Sequence, residues 1–212
     1  MMNKRFKKVL VLAPHTDDGE FGCGGTINRF VEEGCEVYYA AFSSCRQSVP
    51  KQFPEDILIT EVKAATKVLG IPPENLMIFD YDVRTFNYKR QEILDDMLGL
   101  KKLINPDLVF IPSLSDVHQD HATIANEGLR AFKWCSIFCY ELPWNTTHFN
   151  TQCFISLSES NVDTKLDAIS EYASQGHRPY ASAEFIKGLA KVRGVQSGNN
   201  YAEAFEIIRL AM

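Results

Sequence analysis

The stretch KVLVLAPHTDDGEFGCGG, residues 8–25, decides the fold. Its first six residues, Lys8–Ala13, form a short apolar run of the kind that becomes a buried strand. Polar and glycine residues follow at once, and Gly24 and Gly25 are predicted to open a helix that ends at Gly34. A buried strand, a polar loop and then a helix are typical of an open α/β sheet, in which ligands bind beyond the strand ends.

The alternation continues along the chain and predicts an α/β fold with a mostly parallel sheet and helices on both faces. Further strands are expected at Glu36–Phe42, Leu76–Phe79, Asp107–Ile111, Ser136–Tyr140 and Cys153–Ser156, and helices at Ile57–Leu69, Gln91–Ile104, Ala122–Phe132, Val162–Tyr172 and Ala183–Val192. Tyr201–Arg209 is compatible with a strand or a helix. We expect a Rossmann-like three-layer sandwich with strand order 3-2-1-4-5 and an added C-terminal strand.

The composition indicates one domain over residues 1–212, since a chain of this length with 45% apolar residues can bury a sizeable core. The net charge of −5 gives no global positive field, and the basic start Lys4–Lys8 is short, so nucleic acid is not an expected partner. The apolar run Val9–Leu12 is too short for the core of a signal peptide. The sequence contains no stretch of about 18 apolar residues, the length that a membrane span requires. We expect a cytoplasmic protein with no membrane span, whose oligomeric state stays open.

Two polar clusters each follow a predicted strand. PHTDDGEFGCGG, residues 14–25, comes after the first strand, and SDVHQDH, residues 115–121, comes a few residues after the fourth. In the order 3-2-1-4-5 these two strands are neighbours and the order reverses between them, so both clusters flank one crevice. Such a density of imidazole and carboxylate groups suits a divalent metal ion.

The residue types predict a catalytic metal site. His15 and Asp18 can wrap one ion from the first cluster, and His121 offers a third ligand from the second. Two imidazoles and one carboxylate leave a position for water, as in catalytic rather than structural zinc sites. Zinc is the expected cofactor, although the same ligands also suit Fe²⁺. A bound ion lowers the pKa of water and polarises a carbonyl, so the site predicts hydrolysis.

Two further residues are expected to handle protons. Asp17 lies next to a ligand and is the candidate general base. His118, if protonated, could stabilise an oxyanion and pass a proton to the leaving amine. Either Asp120 or Asp116 could fix the tautomer of His118 by accepting a ring N–H, and the sequence does not decide between them.

Taken together, these residues resemble the PIG-L/LmbE family of metal-dependent N-acetylglucosamine deacetylases. Its first hallmark is a Pro-His-x-Asp-Asp loop, here Pro14–Asp18, followed by a glycine-rich helix start, here Gly22–Thr26. Its second hallmark is Asp-x-His-x-Asp-His, here Asp116–His121. Weaker similarities include Glu61 in the second helix and Ser174-Gln175.

Carried over by position, the resemblance implies zinc held by His15, Asp18 and His121, with Asp17 as general base and His118 steadying the transition state. It also implies removal of an acetyl group from an N-acetylated amino sugar or its conjugate.

The chain departs from the family pattern at two places. Members often have an acidic residue directly after the Asp pair, where this chain has Gly19 and then Glu20. Members also often have an arginine where this chain has Leu58. These departures leave the predicted metal site intact and concern how the part of the substrate far from the acetyl group is bound.

Two other functions fit part of the pattern. A nucleotide-sugar-binding transferase could use the same crevice, with Asp17 and Asp18 holding a metal-phosphate, although the Gly-x-Gly-x-x-Gly fingerprint is not matched. A third hypothesis is a sugar-binding module without catalytic activity. The presence of four residues of the motifs disfavours it, namely Asp17, Asp18, His118 and His121. Under the leading reading, the pocket walls are expected from the region after Tyr140 and from Gln175–Tyr180.

Overall fold

The sheet of the protein has seven strands in the order β3-β2-β1-β4-β5-β7-β6, as seen in a computed structural model that describes residues 6–211. The strands are β1 (Lys8–Ala13), β2 (Glu36–Ala41), β3 (Leu76–Ile78), β4 (Leu108–Pro112), β5 (Ser136–Tyr140), β6 (Cys153–Leu157) and β7 (Tyr201–Arg209). The helices are α1 (Asp18–Glu32), α2 (Ile57–Val68), α3 (Arg90–Ile104), α4 (Gln119–Ala131), α5 (Glu159–Ser170) and α6 (Ala183–Ser197).

The strands β3, β2, β1, β4 and β5 pair in parallel, and β7 pairs antiparallel with both β5 and β6. The predicted order 3-2-1-4-5 with an added C-terminal strand is confirmed. The stretch that the sequence left undecided is the strand β7, which lies between β5 and β6.

The central strand β1 is buried on both faces because alternate side chains enter two separate cores. Val9 and Val11 pack with residues of α1, α2 and α5 on one face. Leu10 and Leu12 pack with residues of α3 and α4 on the other. The result is the three-layer sandwich that the alternation of strands and helices predicts.

Helix α1 begins six residues earlier than predicted, at Asp18 rather than Gly24. Glycine is a weak helix former, so the Gly-rich stretch did not indicate a helix from sequence. Packing explains the glycines: a Cβ on Gly22 would lie 2.2 Å from the ring of Tyr140. The helix therefore runs close against the sheet, and its regular path is interrupted at Cys23, where φ is −149°.

A buried ion pair stabilises this interrupted helix. Glu203 of β7 accepts the backbone N–H groups of Gly25 at 3.1 Å and Thr26 at 2.7 Å, and so caps the second half of α1. Lys165 of α5 lies 2.6 Å from the same carboxylate and donates to the carbonyl of Phe21 at 2.7 Å. Because both charges are buried, each needs the other as a partner. The C-terminal strand thereby helps to position the helix that carries Asp18.

Helix α4 also begins earlier than predicted, at Gln119 rather than Ala122. His118 is its N-cap residue, and the Nδ1 atom of that ring accepts the backbone N–H of Asp120 at 3.2 Å. A histidine is an uncommon cap, which is why the sequence did not indicate this start. Both polar clusters therefore run into the first turn of a helix, beyond the ends of the neighbouring strands β1 and β4.

Between residues 6 and 211, no helix is both long and apolar enough to cross a membrane. Cys23, Cys45, Cys135 and Cys139 are free thiols. The single domain over residues 1–212 stays a prediction. Residues 1–5 and 212, which include Lys4 and Arg5 of the basic start, lie outside the described residues.

Candidate active site

Three side chains from the two polar clusters converge beyond the ends of β1 and β4. His15 Nδ1 lies 3.1 Å from Asp18 Oδ2 and 3.1 Å from His121 Nε2, and these last two atoms are 3.2 Å apart. A tetrahedral zinc ion with bonds of about 2.0–2.1 Å separates its ligand atoms by about 3.3–3.4 Å. The three atoms thus have nearly the spacing of one face of a zinc tetrahedron.

A buried carboxylate holds each of the two imidazoles by its other ring nitrogen. His121 Nδ1 lies 2.8 Å from Asp116 Oδ2, and His15 Nε2 lies 3.0 Å from Asp120 Oδ2. Metal-binding histidines are commonly oriented in this way, because the carboxylate fixes the tautomer and the direction of the ring. The sequence offered Asp116 and Asp120 as alternatives for one task, whereas each supports a histidine of its own.

The position of Asp120 differs from the expectation that its carboxylate orients His118. Its Oδ2 atom lies 4.0 Å from His118 Nδ1, too far for a hydrogen bond. That oxygen accepts instead from the ring of His15 and from the backbone N–H of Arg84 at 2.6 Å, and Oδ1 accepts the N–H of Phe86 at 3.3 Å. Since Nδ1 of His118 already accepts a backbone N–H, the neutral ring carries its proton on Nε2.

His118 lies beside the triangle formed by the ligand atoms of His15, Asp18 and His121. Its ring centroid is 4.9 Å from that of His15 and 4.5 Å from that of His121. One ligand atom from each of these three histidines falls within 4.8 Å of the others, so His118 also borders the place where an ion would bind. Burial, and then the charges of His121 and His15, lower the pKa of His118 to about 4. The ring is therefore neutral at pH 7, in contrast to the protonated form considered from the sequence.

Asp17 is the N-cap residue of α1, but its side chain makes no capping hydrogen bond. It lines the cavity beside the three histidines. Burial, followed by repulsion from Asp18, raises the pKa of Asp17 to about 6 against the opposing effects of His15 and Arg178. A carboxylate with such a pKa can accept a proton near neutral pH and return it, which suits the predicted general base.

The electrostatics of the triangle favour positive charge. Burial alone would raise the pKa of Asp18, but His121 and His15 hold it well below its usual value. Burial alone would lower the pKa of His121, but the Asp18 charge and the hydrogen bond to Asp116 raise it to about 10. A buried site with this preference fits a divalent cation, which supplies positive charge in place of protons on the histidines.

The cluster lines a cavity of about 300 Å³ that has an aromatic wall. Trp144 stacks on Tyr180 with ring centroids 3.9 Å apart, and Phe21 meets each of these rings edge-on at 5.4 Å. Trp144 follows Tyr140, and Tyr180 ends the 175–180 segment, so both predicted wall segments contribute. Cavities lined by aromatic groups with a few polar side chains are typical of small-molecule sites.

The loop after β3 carries no recognisable motif in the sequence, yet Val83 and Arg84 of this loop line the cavity. A positional signal was available, because loops that follow parallel strands emerge at the same edge of the sheet. The residue types gave no signal of their own.

A sequence model of the PIG-L family, described as GlcNAc-PI de-N-acetylase, matches residues 10–132. This range is more than half of the 212 residues and contains both polar clusters. The chain belongs to the PIG-L family. The resemblance inferred from the two motifs is confirmed.

Two curated proteins and one solved structure illustrate what the chain is similar to, each over 81% or more of its length. The "Uncharacterized deacetylase YaiS" of Escherichia coli is 28% identical over 81% of this chain and 93% of that protein. The "Diacetylchitobiose deacetylase" of Thermococcus kodakarensis is 22% identical over 95% of this chain and 83% of that protein. The structure of N,N'-diacetylchitobiose deacetylase from Pyrococcus horikoshii superimposes with a TM-score of 0.80 at 23% identity, over 96% of this chain and 84% of that one.

The fold by itself does not assign the reaction. The 4-carboxy-2-hydroxymuconate hydratase GalB from Pseudomonas putida has the same fold, with a TM-score of 0.79 at 20% identity over 97% of this chain and 98% of that one. The PIG-L match and the deacetylases among the relatives confirm the predicted class, an enzyme that removes an acetyl group from an N-acetylated amino sugar or its conjugate.

Proposed function

We propose that the chain is a zinc-dependent N-deacetylase whose ion is held by His15, Asp18 and His121. The observation that carries this assignment is the triangle of their ligand atoms, with edges of 3.1, 3.1 and 3.2 Å. When bound, the ion lowers the pKa of water and polarises the amide carbonyl. Fe²⁺ suits the same ligands, so a titration with each metal is the test of which one gives activity.

In this proposal Asp17 moves the proton twice. It first takes a proton from the water that attacks the amide carbon, and it then gives this proton to the nitrogen as the C–N bond breaks. The products leave as acetic acid and the free amine, and the acid then loses its own proton to become acetate. No further proton donor is needed. A pKa raised to about 6 supports both steps, because the group is neither a very weak base nor a very weak acid.

His118 stabilises the oxyanion in this proposal. Its Nε2–H is available to donate a hydrogen bond, because Nδ1 is occupied by the backbone N–H of Asp120 at 3.2 Å. A donor fixed beforehand in a water-poor site strengthens as negative charge develops on the amide oxygen. A neutral imidazole can do this without losing its proton, which is why we assign the proton delivery to Asp17 instead.

The substrate class follows from the family and from the cavity. PIG-L and the diacetylchitobiose deacetylase relative support an N-acetylated amino sugar or glycoconjugate. A cavity of about 300 Å³ is at the small end of the range of about 300–1,000 Å³ for ligand sites, so we expect it to hold one sugar ring. The Trp144 and Tyr180 side of the cavity offers apolar surface for such a ring.

The first test is acetate release from N-acetylglucosamine and N,N'-diacetylchitobiose with zinc, with a chelator, and with zinc restored. We expect turnover to disappear with the chelator and to return with zinc. Protein that contains a nucleotide and no metal would favour the transferase reading instead.

The second test separates the base from the ligands. Asp17→Asn should keep the metal content and lose about 10²–10⁴-fold in kcat. Asp163→Asn is the matched control, because Asp163 is half exposed and pairs on the surface with Lys187. Turnover that survives in Asp17→Asn would rule out the assigned base.

A further inference from the structure

Two arginines that form no ion pair with a carboxylate of residues 6–211 line the cavity. Of the eight arginines among residues 6–211, five lie within 4.0 Å of a carboxylate, and these are Arg29, Arg46, Arg90, Arg130 and Arg193. In this part of the chain Arg84, Arg178 and Arg209 form no such pair, and the first two line the cavity. An arginine kept without a carboxylate beside a binding cavity is available to a ligand of opposite charge.

Arg84 is held in a backbone conformation that residues other than glycine rarely adopt. Its φ is +67°, in the left-handed region. Asp120 accepts the backbone N–H of Arg84 at 2.6 Å, and the Gln119 side chain donates to its carbonyl at 3.4 Å. Within residues 6–211 its guanidinium has no hydrogen bond, ion pair or ring contact. Strain maintained by a carboxylate of the metal centre indicates a functional requirement at this position.

Arg178 is oriented by a chain of buried hydrogen bonds. Glu61 accepts the backbone N–H of Ser174 at 2.9 Å and its O–H at 2.6 Å, and the Gln175 amide donates to Ser174 Oγ at 3.1 Å. Arg178 Nε donates to Gln175 Oε1 at 2.6 Å, and Nη1 donates to the hydroxyl of Tyr180 at 2.5 Å. Two donor atoms are thus fixed by neutral groups, and Nη2 has no partner in the described part of the chain.

We propose that Arg84 and Arg178 bind an anionic group of the substrate, either a carboxylate or a phosphate ester, attached to the N-acetylated amino sugar. The inference rests on the proposed deacetylase function and adds the substrate class. The planar guanidinium offers paired N–H donors that match the oxygens of both groups. Of the carboxylates that line the cavity, Asp18 is engaged by His15 and His121, and Asp17 forms no ion pair within 4.0 Å of either arginine.

The test compares three substrates with the same N-acetylglucosamine ring: its neutral methyl glycoside, its 1-phosphate, and its glycoside with lactic acid. We expect kcat/KM for at least one anionic substrate to exceed the neutral value by about 10-fold or more, as a charged hydrogen bond provides. The phosphate and the lactate arms show which anion the site prefers.

Variants assign the preference to the two arginines. Arg84→Gln and Arg178→Gln should each raise the KM of the preferred anionic substrate by about 10- to 100-fold more than they raise the KM of the neutral glycoside. Arg46→Gln is the matched control, because Arg46 does not line the cavity and pairs with Asp80 at 3.6 Å. Equal kcat/KM for neutral and anionic substrates, or an anionic KM that neither variant changes, overturns the proposal.

Two measurements keep the outcome independent of folding and of turnover. Arg84→Gly should raise the melting temperature, since glycine adopts a positive φ freely, and should still lose the anionic preference. A loss that appears only in unstable variants would contradict the proposal.

Calorimetry with the Asp17→Asn protein measures binding without turnover, so a failed deacetylase assay remains distinguishable from a failed anion site. There the 1-phosphate or the lactate glycoside should bind more tightly than the methyl glycoside.

Discussion

Replacing Asp116 by asparagine weakens metal binding by a predictable amount. The carboxylate accepts two donors, the ring of His121 at 2.8 Å and the backbone N–H of His118 at 2.9 Å. Asparagine has the same shape but one oxygen, so it can serve only one of them, and that one without a full charge. Losing one hydrogen bond to a charged group costs about 1.5–3 kcal/mol, which corresponds to about 10- to 100-fold in Kd.

The assay is the zinc Kd of Asp116→Asn, measured by competition with a chromogenic chelator at fixed pH. Asp120→Asn should also raise the zinc Kd, because Asp120 orients the ligand His15. Residues that orient metal ligands in this way each contribute about 10- to 100-fold to metal affinity. Asp163→Asn removes a surface carboxylate and should leave the Kd unchanged. An unchanged zinc Kd in Asp116→Asn, with the same melting temperature as the parent, would refute the role that we give to this carboxylate.

Three further predictions concern the base, the buried ion pair and the aromatic wall. Because Asp17 must be deprotonated to act and a bound cation can only lower its pKa, kcat/KM should rise with pH, with a midpoint at or below about pH 6, and then reach a plateau; a basic limb alone would exclude Asp17 as the base. Glu203→Gln leaves the buried Lys165 ammonium without its counter-charge. The free energy of unfolding, measured by urea denaturation, should therefore fall by about 3–5 kcal/mol. A loss below about 1 kcal/mol would mean that the pair is solvated. Trp144→Ala removes the stack on Tyr180 and should raise the KM for the sugar with little change in kcat; a fall in kcat alone would place this wall outside substrate binding.

The order of the sheet could be predicted because strands buried on both faces leave continuous apolar runs, as in KVLVLA. The strand β7 could not, because it carries Glu203 and Glu206 at buried positions, where a sequence pattern indicates exposure. Their partners are distant in sequence: Glu206 accepts from Ser113 at 2.8 Å, across 93 residues. Long-range partners of buried acids are invisible to a local pattern.

The metal ligands could be proposed from sequence because imidazole and carboxylate groups followed two strands that the topology makes neighbours. The supporting carboxylates could not be assigned, since Asp116 and Asp120 both lie within two residues of His118 and neither lies near His15 in sequence. The His15 and Asp120 contact spans 105 residues, and only the folded chain decides it. The early start of α1 was missed for a related reason, because Gly22 and Gly25 pack closely against Tyr140 and Leu157, which are distant in sequence.

The single carboxylate of Asp120 joins a metal ligand to the loop that follows β3. One of its oxygens serves both the ring of His15 and the backbone of Arg84, so whatever fixes one partner also restricts the other. Occupancy of the metal position and the conformation of the loop at Arg84 are then thermodynamically linked, and each ligand should change the affinity for the other by the same factor. Sugar affinities measured on chelated protein should therefore differ from those of the loaded enzyme.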